Sequence, residues 1–342
     1  MNPGPETDLR RLFGPLDPGA EKIPPADRDA DLRTILRGDA VRTPTPTAST
    51  RLTRRRALLG GAAAAAVLAG ITPIVLDSSP AAYAATPPPL AYQQKPSTAA
   101  APALERIAAR TAARPDDSGQ GRYRHISVVG WYLDSATRAG ATRSAIVPRR
   151  TETWLAGDGS GRSVTTTQPP AFGSEDDRHW WSRLGDDDAR TVRTWTSGED
   201  VRTWTQPAPA DPRRMARFLQ VGHPVSNGPA GVLTAAADLC REQVLAPRQR
   251  AALLRTLATL PGLRAAGPVT DRSGRYGEAF VLDSSYSGLP TRYTLIVDAT
   301  TGRFLGWEEM LTEDAGRLNV RIPAVTSYET LARSEYTRTA GR

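Results

Sequence analysis

The chain is short of cysteine, lysine and histidine, and each shortage removes a class of chemistry. Cys240 is the only cysteine, which excludes an intrachain disulfide and any zinc site built from several thiolates. Its setting, Ala237-Asp238-Leu239-Cys240-Arg241-Glu242, reads as a helix position holding a buried structural thiol. The three histidines, His125, His179 and His223, are far apart, and none belongs to an H-E-x-x-H or comparable ligand pair. No serine sits in a G-x-S-x-G elbow. The glycine-rich run Gly157-Asp158-Gly159-Ser160-Gly161 completes neither G-x-G-x-x-G nor Walker spacing, so it reads as a turn rather than a phosphate loop. With no nucleophile placed against a base, the sequence predicts a non-enzyme with no cofactor, no metal site and no catalytic residues.

Lys22 and Lys95 are the only lysines, so the positive charge is almost all arginine. Residues 1–56 hold 11 basic and 8 acidic side chains, and residues 77–342 hold 33 and 28, giving a net charge of +8 that is spread along the chain. No arginine patch interleaved with aromatics comes with a recognisable nucleic-acid motif, so nucleic acid is not an expected partner.

Residues 1–56 have few aromatics, much proline and glycine and no long apolar period, which predicts a mostly disordered segment. Ala57 to Leu76 then form 20 uncharged residues, about the length that crosses a hydrocarbon core. Leu58, Leu59, Val67, Leu68, Ile71, Ile74, Val75 and Leu76 supply its apolar surface, while alanine and glycine make it only moderately hydrophobic. Arg54, Arg55 and Arg56 abut the start of this candidate membrane anchor, and only Asp77 and Lys95 are charged in the twenty residues after it. That asymmetry predicts a cytoplasmic N-terminus and everything beyond Asp77 outside the membrane. The competing reading is a twin-arginine export signal cleaved after Ala82-Tyr83-Ala84, and it places the large domain on the same side.

Prolines 80, 87, 88, 89, 96 and 102 mark residues 77–98 as a linker, with the folded domain covering 99–342. Residues 97–114 carry Leu104, Ile107, Ala108 and Thr111 at helical spacing. From Tyr123 the period becomes two, predicting strands over 123–132, 146–155 and 162–167. Asp211-Pro212 starts a helix, and 231–260 reads as two helices broken at Pro247. Strands return over 279–283, 292–298 and 304–311, with 299–302 as a hairpin turn and a final strand within 320–331. Glu175-Asp176-Asp177-Arg178-His179-Trp180-Trp181, followed by Asp186 to Asp188, reads as a charged loop around a Trp-Trp anchor. Strands, then helices, then strands joined by short turns predict an α+β domain: a curved antiparallel sheet, half-barrel-like, with helices packed on one face.

Val192-Arg193-Thr194-Trp195-Thr196 recurs as Val201-Arg202-Thr203-Trp204-Thr205 after four intervening residues. A hairpin pairing the copies would set Trp195 against Arg202 and Arg193 against Trp204. Arg193, Trp195, Arg202 and Trp204 therefore form a candidate surface ligand site, although the same face also reads as hairpin stabilisation by cation–π packing.

Three stretches carry a likeness: Ala84-Ala85-Thr86-Pro87-Pro88-Pro89-Leu90-Ala91-Tyr92; Leu260-Pro261-Gly262-Leu263 with Gly267 to Gly277 (GPVTDRSGRYG); and Ile296-Val297-Asp298-Ala299-Thr300-Thr301-Gly302-Arg303. Together they resemble an uncharacterised family of membrane-anchored actinobacterial proteins with one span and an external domain. The likeness implies the same layout; that family has no established activity and so no functional residues to carry over. The order of a helix and a β-meander also looks like the half-barrel of lipoprotein carriers and related periplasmic regulators, which implies a groove for a lipid, acyl chain or peptide. The resulting expectation is a single-pass cell-membrane protein with an extracytoplasmic binding or sensing domain. The alternative is an anti-sigma-like regulator whose residues 1–56 bind a cytoplasmic protein such as a transcription factor.

Overall fold

The computed structural model describes residues 83–84, 86–92, 98–138, 140–183, 189–199 and 202–341. The segment 1–56, its arginines and the span expected over 57–76 lie outside the described residues. Among the described residues no helix is long and apolar enough to cross a membrane.

In chain order the elements are β1 (Thr98–Ala99), α1 (Ala101–Ala112), β2 (Tyr123–Arg138), β3 (Ala141–Ala156), β4 (Gly161–Thr167), α2 (Glu175–Ser182), β5 (Arg190–Trp195), α3 (Pro212–Leu219), α4 (Gly228–Glu242), α5 (Pro247–Ala258), β6 (Arg264–Thr270), β7 (Tyr276–Ser284), β8 (Thr291–Val297), β9 (Phe304–Leu311) and β10 (Ala324–Thr337). The strands make one open antiparallel sheet in the order β1-β6-β7-β8-β9-β10-β2-β3-β4-β5. Two meanders, β2 to β5 and β6 to β9, are thus joined by the last strand. β10 pairs with β9 on one edge and with β2 on the other, setting Tyr328 opposite Trp131. The α+β class with an antiparallel sheet is as the sequence predicts.

Period-two alternation explains how the sheet carries cores on both faces. Phe280 and Leu282 of β7 and Tyr293, Leu295 and Val297 of β8 turn one way, into a core shared with α1, α3, α4 and α5. Ala279, Val281 and Ile296 turn the other way, with Ala266, Val269 and Leu305. Leu90 and Tyr92 pack against this second cluster. A third cluster gathers Leu133, Ile146, Leu311, Val320, Ala324 and Ala84. The run that proline spacing marks as linker is therefore docked on the sheet through residues 83–84 and 86–92.

The helices follow their local signals. Leu104, Ile107, Ala108 and Thr111 of α1 are all buried at the spacing read from sequence. Asp211 caps α3, its carboxylate accepting from the Arg214 amide at 2.8 Å, with Pro212 in the first turn where no N–H is missed. α5 starts at Pro247, and its Gln249 side chain accepts from the Ala246 amide at 2.8 Å.

Other segments also differ from the sequence reading, β2 and β3 among them, which run to Arg138 and from Ala141 because they pair along their whole length. Residues 175–182 form a helix: Ser174 caps it by accepting from the Asp177 amide, and Asp177 is buried against Arg143 at 2.7 Å, so the acidic run is a helix N-terminus. The final strand runs from Ala324 to Thr337, six residues beyond Leu331, because β2 continues to pair with it. β6, with Gly267 and Pro268 inside it, has no clean period and becomes a strand through its pairing with β7. The Val-Arg-Thr-Trp-Thr hairpin does not form.

Candidate functional site

The predicted surface site, Arg193, Trp195, Arg202 and Trp204, is not one face. β5 pairs with β4, placing Trp195 opposite Gly161 and Arg193 opposite Ser163. Trp195 is buried, its indole Nε1 donating to the Gly159 carbonyl at 3.0 Å, and Arg202 Nη2 reaches the same carbonyl at 3.1 Å. The guanidinium of Arg193 lies 5.3 Å from the ring of Trp195 on its own strand. Trp204 is elsewhere, 2% exposed in the helical core, stacked on Phe218 and donating from Nε1 to the Phe218 carbonyl at 2.7 Å. The reason the second copy leaves the sheet is Gln243. Its side chain donates to the Trp204 and Gln206 carbonyls and accepts from the Ala208 amide at 2.9 Å, replacing a strand partner with one amide group. The buried indole and this amide outweigh the hairpin pairing that the repeat suggests.

The three stretches that carry the sequence likeness converge instead around the turn Asp271-Arg272-Ser273-Gly274. Asp271 Oδ1 accepts from the Ser273 and Arg275 amides at 2.9 and 2.8 Å, and Gly274 takes φ +79°, which closes the β6–β7 hairpin. The two arginines of this turn serve different parts of the sheet. Arg272 pairs with buried Glu308 at 2.6 Å and donates to the Pro88 carbonyl at 2.8 Å. Arg275 keeps Asp271 through Nε at 2.8 Å and donates to the Leu331 and Leu305 carbonyls at 2.7 and 2.6 Å. β10 shifts register between Leu331 and Arg333, and such a bulge leaves backbone groups unpaired, so the guanidinium replaces the lost ladder bond.

Beside the bulge lies a pocket of about 390 Å³, open to solvent, between the C-terminal turn of α4 and β10. Arg250, Arg275, Arg303 and Arg333 line it with Cys240, Gln243 and the apolar side chains of Leu245, Phe304 and Leu331. Arg250 is 5% exposed. It grips both Asp117 carboxylate oxygens at 2.8 and 3.0 Å and donates to the Leu245 and Thr301 carbonyls. Burial pulls its pKa down and Asp117 opposes that pull. Arg303 donates to the Ser334 and Asp117 carbonyls at 3.0 and 2.6 Å. Arg333 pairs with Glu335 at 3.2 Å on the exposed rim. Four guanidiniums thus face Asp117, Glu335 and, behind the wall, Asp271, which leaves an excess of positive charge. Each guanidinium has five N–H donors, so the structural contacts do not exhaust them. Burial pushes the Cys240 thiol up to about 12, so at neutral pH it is a protonated wall residue and not a nucleophile.

On the other side of α4 a buried polar chain crosses the helix-sheet interface. His223 Nε2 lies 3.0 Å from Asp238, whose other oxygen meets Arg241. Arg241 also holds Glu329, which accepts from the Tyr132 hydroxyl at 2.9 Å. Burial alone lowers the Arg241 pKa, but Glu329 and Asp238 override it and hold the guanidinium charged. Desolvation raises the Tyr132 hydroxyl well above its ordinary value, and Glu329 adds to the rise. Glu309, accepting from Trp307 Nε1 at 3.1 Å, is also pushed up by desolvation. His223 stacks on Trp204, and the chain ties α4 to β10 and β2 as an ion-paired strut.

Of the other histidines, His125 stacks on Trp154 at 4.7 Å, and His179 lies in the last turn of α2. Among the described residues no group of three His, Cys, Asp or Glu side chains is placed to hold a metal. Neither family models nor curated proteins match the chain, so the site rests on its own geometry. Sequence reasoning missed the pocket because its arginines come from four separate elements and turns. The sequence signal lay in Arg275, within the Gly267–Gly277 stretch, and in Arg303, within the 296–303 stretch.

Proposed function

We propose that this chain is a non-enzymatic, membrane-anchored binding or sensing protein whose folded domain faces away from the cytoplasm and takes an anionic ligand in the arginine-lined pocket. The anchor is the 57–76 span, and the fold is a half-barrel in which β10 closes the groove beside the helices. The observation that carries this reading is the pocket: a volume of about 390 Å³, at the small end for ligand sites, with surplus guanidinium charge and a partly apolar wall. Of a lipid, an acyl chain or a peptide, this lining favours a peptide whose terminal carboxylate meets the arginines and whose last side chain meets Phe304 and Leu331. The helix-covered face of β7 and β8 is filled by side chains of α1, α3, α4 and α5, which supports a site at the rim rather than under the helices.

Native mass spectrometry of the detergent-purified chain tests this, with short peptides added as free acids and as amides. The expected result is bound acid, little bound amide, and loss of the acid in Arg333→Ala with an unchanged unfolding midpoint. Equal occupancy by acid and amide, or by wild type and variant, overturns the reading.

A further inference from the structure

The outer face of the sheet, opposite the helices, is built to hold an extended segment, and residues 83–84 and 86–92 lie on it. Pro88 presents its carbonyl to Arg272 Nη2 at 2.8 Å, and Leu90 presents its amide to the Glu308 carboxylate. The Tyr92 hydroxyl meets Thr294 Oγ1 at 2.9 Å. Arg272 is itself fixed by Glu308 at 2.6 Å and by the ring of Tyr328, 5.2 Å from its centroid. A side-chain acceptor and donor thus read the backbone, while Leu90 and Tyr92 cover the apolar cluster of β6 to β9. Prolines 87 to 89 already favour the extended form, so docking costs little chain entropy.

At its N-terminal end the same segment is held through its backbone and Ala84, the Tyr83 side chain remaining 46% exposed. The Ala84 amide donates to the Asn319 carbonyl at 2.8 Å, and Ala84 is 5% exposed among Leu133, Ile146 and Val320. Gly173 lies against the Tyr83 carbonyl so closely that a Cβ there would fall 1.9 Å from it. Ala82-Tyr83-Ala84 is the small-x-small pattern that an export peptidase reads, and a peptidase must take the residues before the cut as a free extended strand.

We infer that the outer face is the dock for residues 83–84 and 86–92 and that docking withholds the bond after Ala84 from the export peptidase, so that the span stays attached to the folded domain. This rests on the reading of residues 57–76 as a span. It also takes Arg54-Arg55-Arg56 as a twin-arginine signal, a route on which the chain crosses already folded, so that the dock is in place before the peptidase is met.

The test is N-terminal sequencing of the full chain extracted from membranes of a host with twin-arginine export. It compares wild type with Leu90→Asp/Tyr92→Ala, which breaks the dock from the strap side, and with Arg272→Ala, which breaks it from the domain side. Protection of Cys240 from alkylation reports that each variant is folded. The expected result is wild type that retains residues upstream of Ala85 and folded variants that begin at Ala85. Wild type beginning at Ala85 overturns the inference, and so do folded variants that stay uncut. Failure of the span reading is seen separately, as uncut wild type released from membranes by alkaline carbonate.

Discussion

Replacing Arg241 by leucine removes the one cation between two carboxylates that share the helix-sheet interface. The Asp238 side chain is 10% exposed and the Glu329 side chain 8% exposed, so neither has water to replace the lost guanidinium. Breaking a buried ion pair from one side costs about 3–5 kcal/mol, because the remaining charge keeps its desolvation penalty without its partner. For a domain of this size each kcal/mol moves the midpoint by about 2–4 °C, which predicts a fall of about 6–20 °C. Guanidinium titrations followed by tryptophan fluorescence measure the loss. The triple variant Arg241→Leu/Asp238→Asn/Glu329→Gln recovers most of the loss, since the stranded charges are gone. A penalty below about 1 kcal/mol refutes the assignment of a buried ionic strut.

Trp204→Ala costs about 3–5 kcal/mol by chemical denaturation, the range for emptying a large buried aromatic site, because the ring is packed between Phe218 and His223. Gly161→Ala costs about 1–3 kcal/mol, since the added carbon meets the Trp195 ring at 2.5 Å and the Trp154 carbonyl at 2.8 Å. The same denaturation curves, with unchanged m-value, check it.

Some of the architecture is legible in local chemistry. Leu104, Ile107, Ala108 and Thr111 sit at i, i+3, i+4 and i+7, so one side of α1 had to be buried. Asp211-Pro212 and Pro247 mark helix starts because a proline in the first turn forgoes no hydrogen bond. Asp298 to Gly302 reads as a turn because Asp298 can accept from the Thr300 and Thr301 amides and Gly302 can take φ +66°. Two misreadings have a common origin, which is that an apolar or charged run does not name its partner. The Trp195 and Trp204 copies are identical locally, yet one packs on Gly161 and the other under α3. Glu175 to Trp181 became a helix through Ser174 and Arg143, the latter 34 positions from its partner Asp177.

By itself, then, the sequence determined composition, the presence of one cysteine, most helix and strand positions and the α+β class, since these depend on composition or on residues within a few positions of one another. Only the tertiary structure decided that β10 joins the two meanders and that the proline run lies docked on Arg272 and Glu308. It also decided that arginines from α5, the β6–β7 turn, the β8–β9 turn and β10 meet around one pocket. Each of these depends on contacts across roughly 50 to 200 positions, such as Arg275 with Leu331, 56 apart, and Tyr132 with Glu329, 197 apart. Packing and unpaired backbone groups choose such partners, and neither is written in any local pattern.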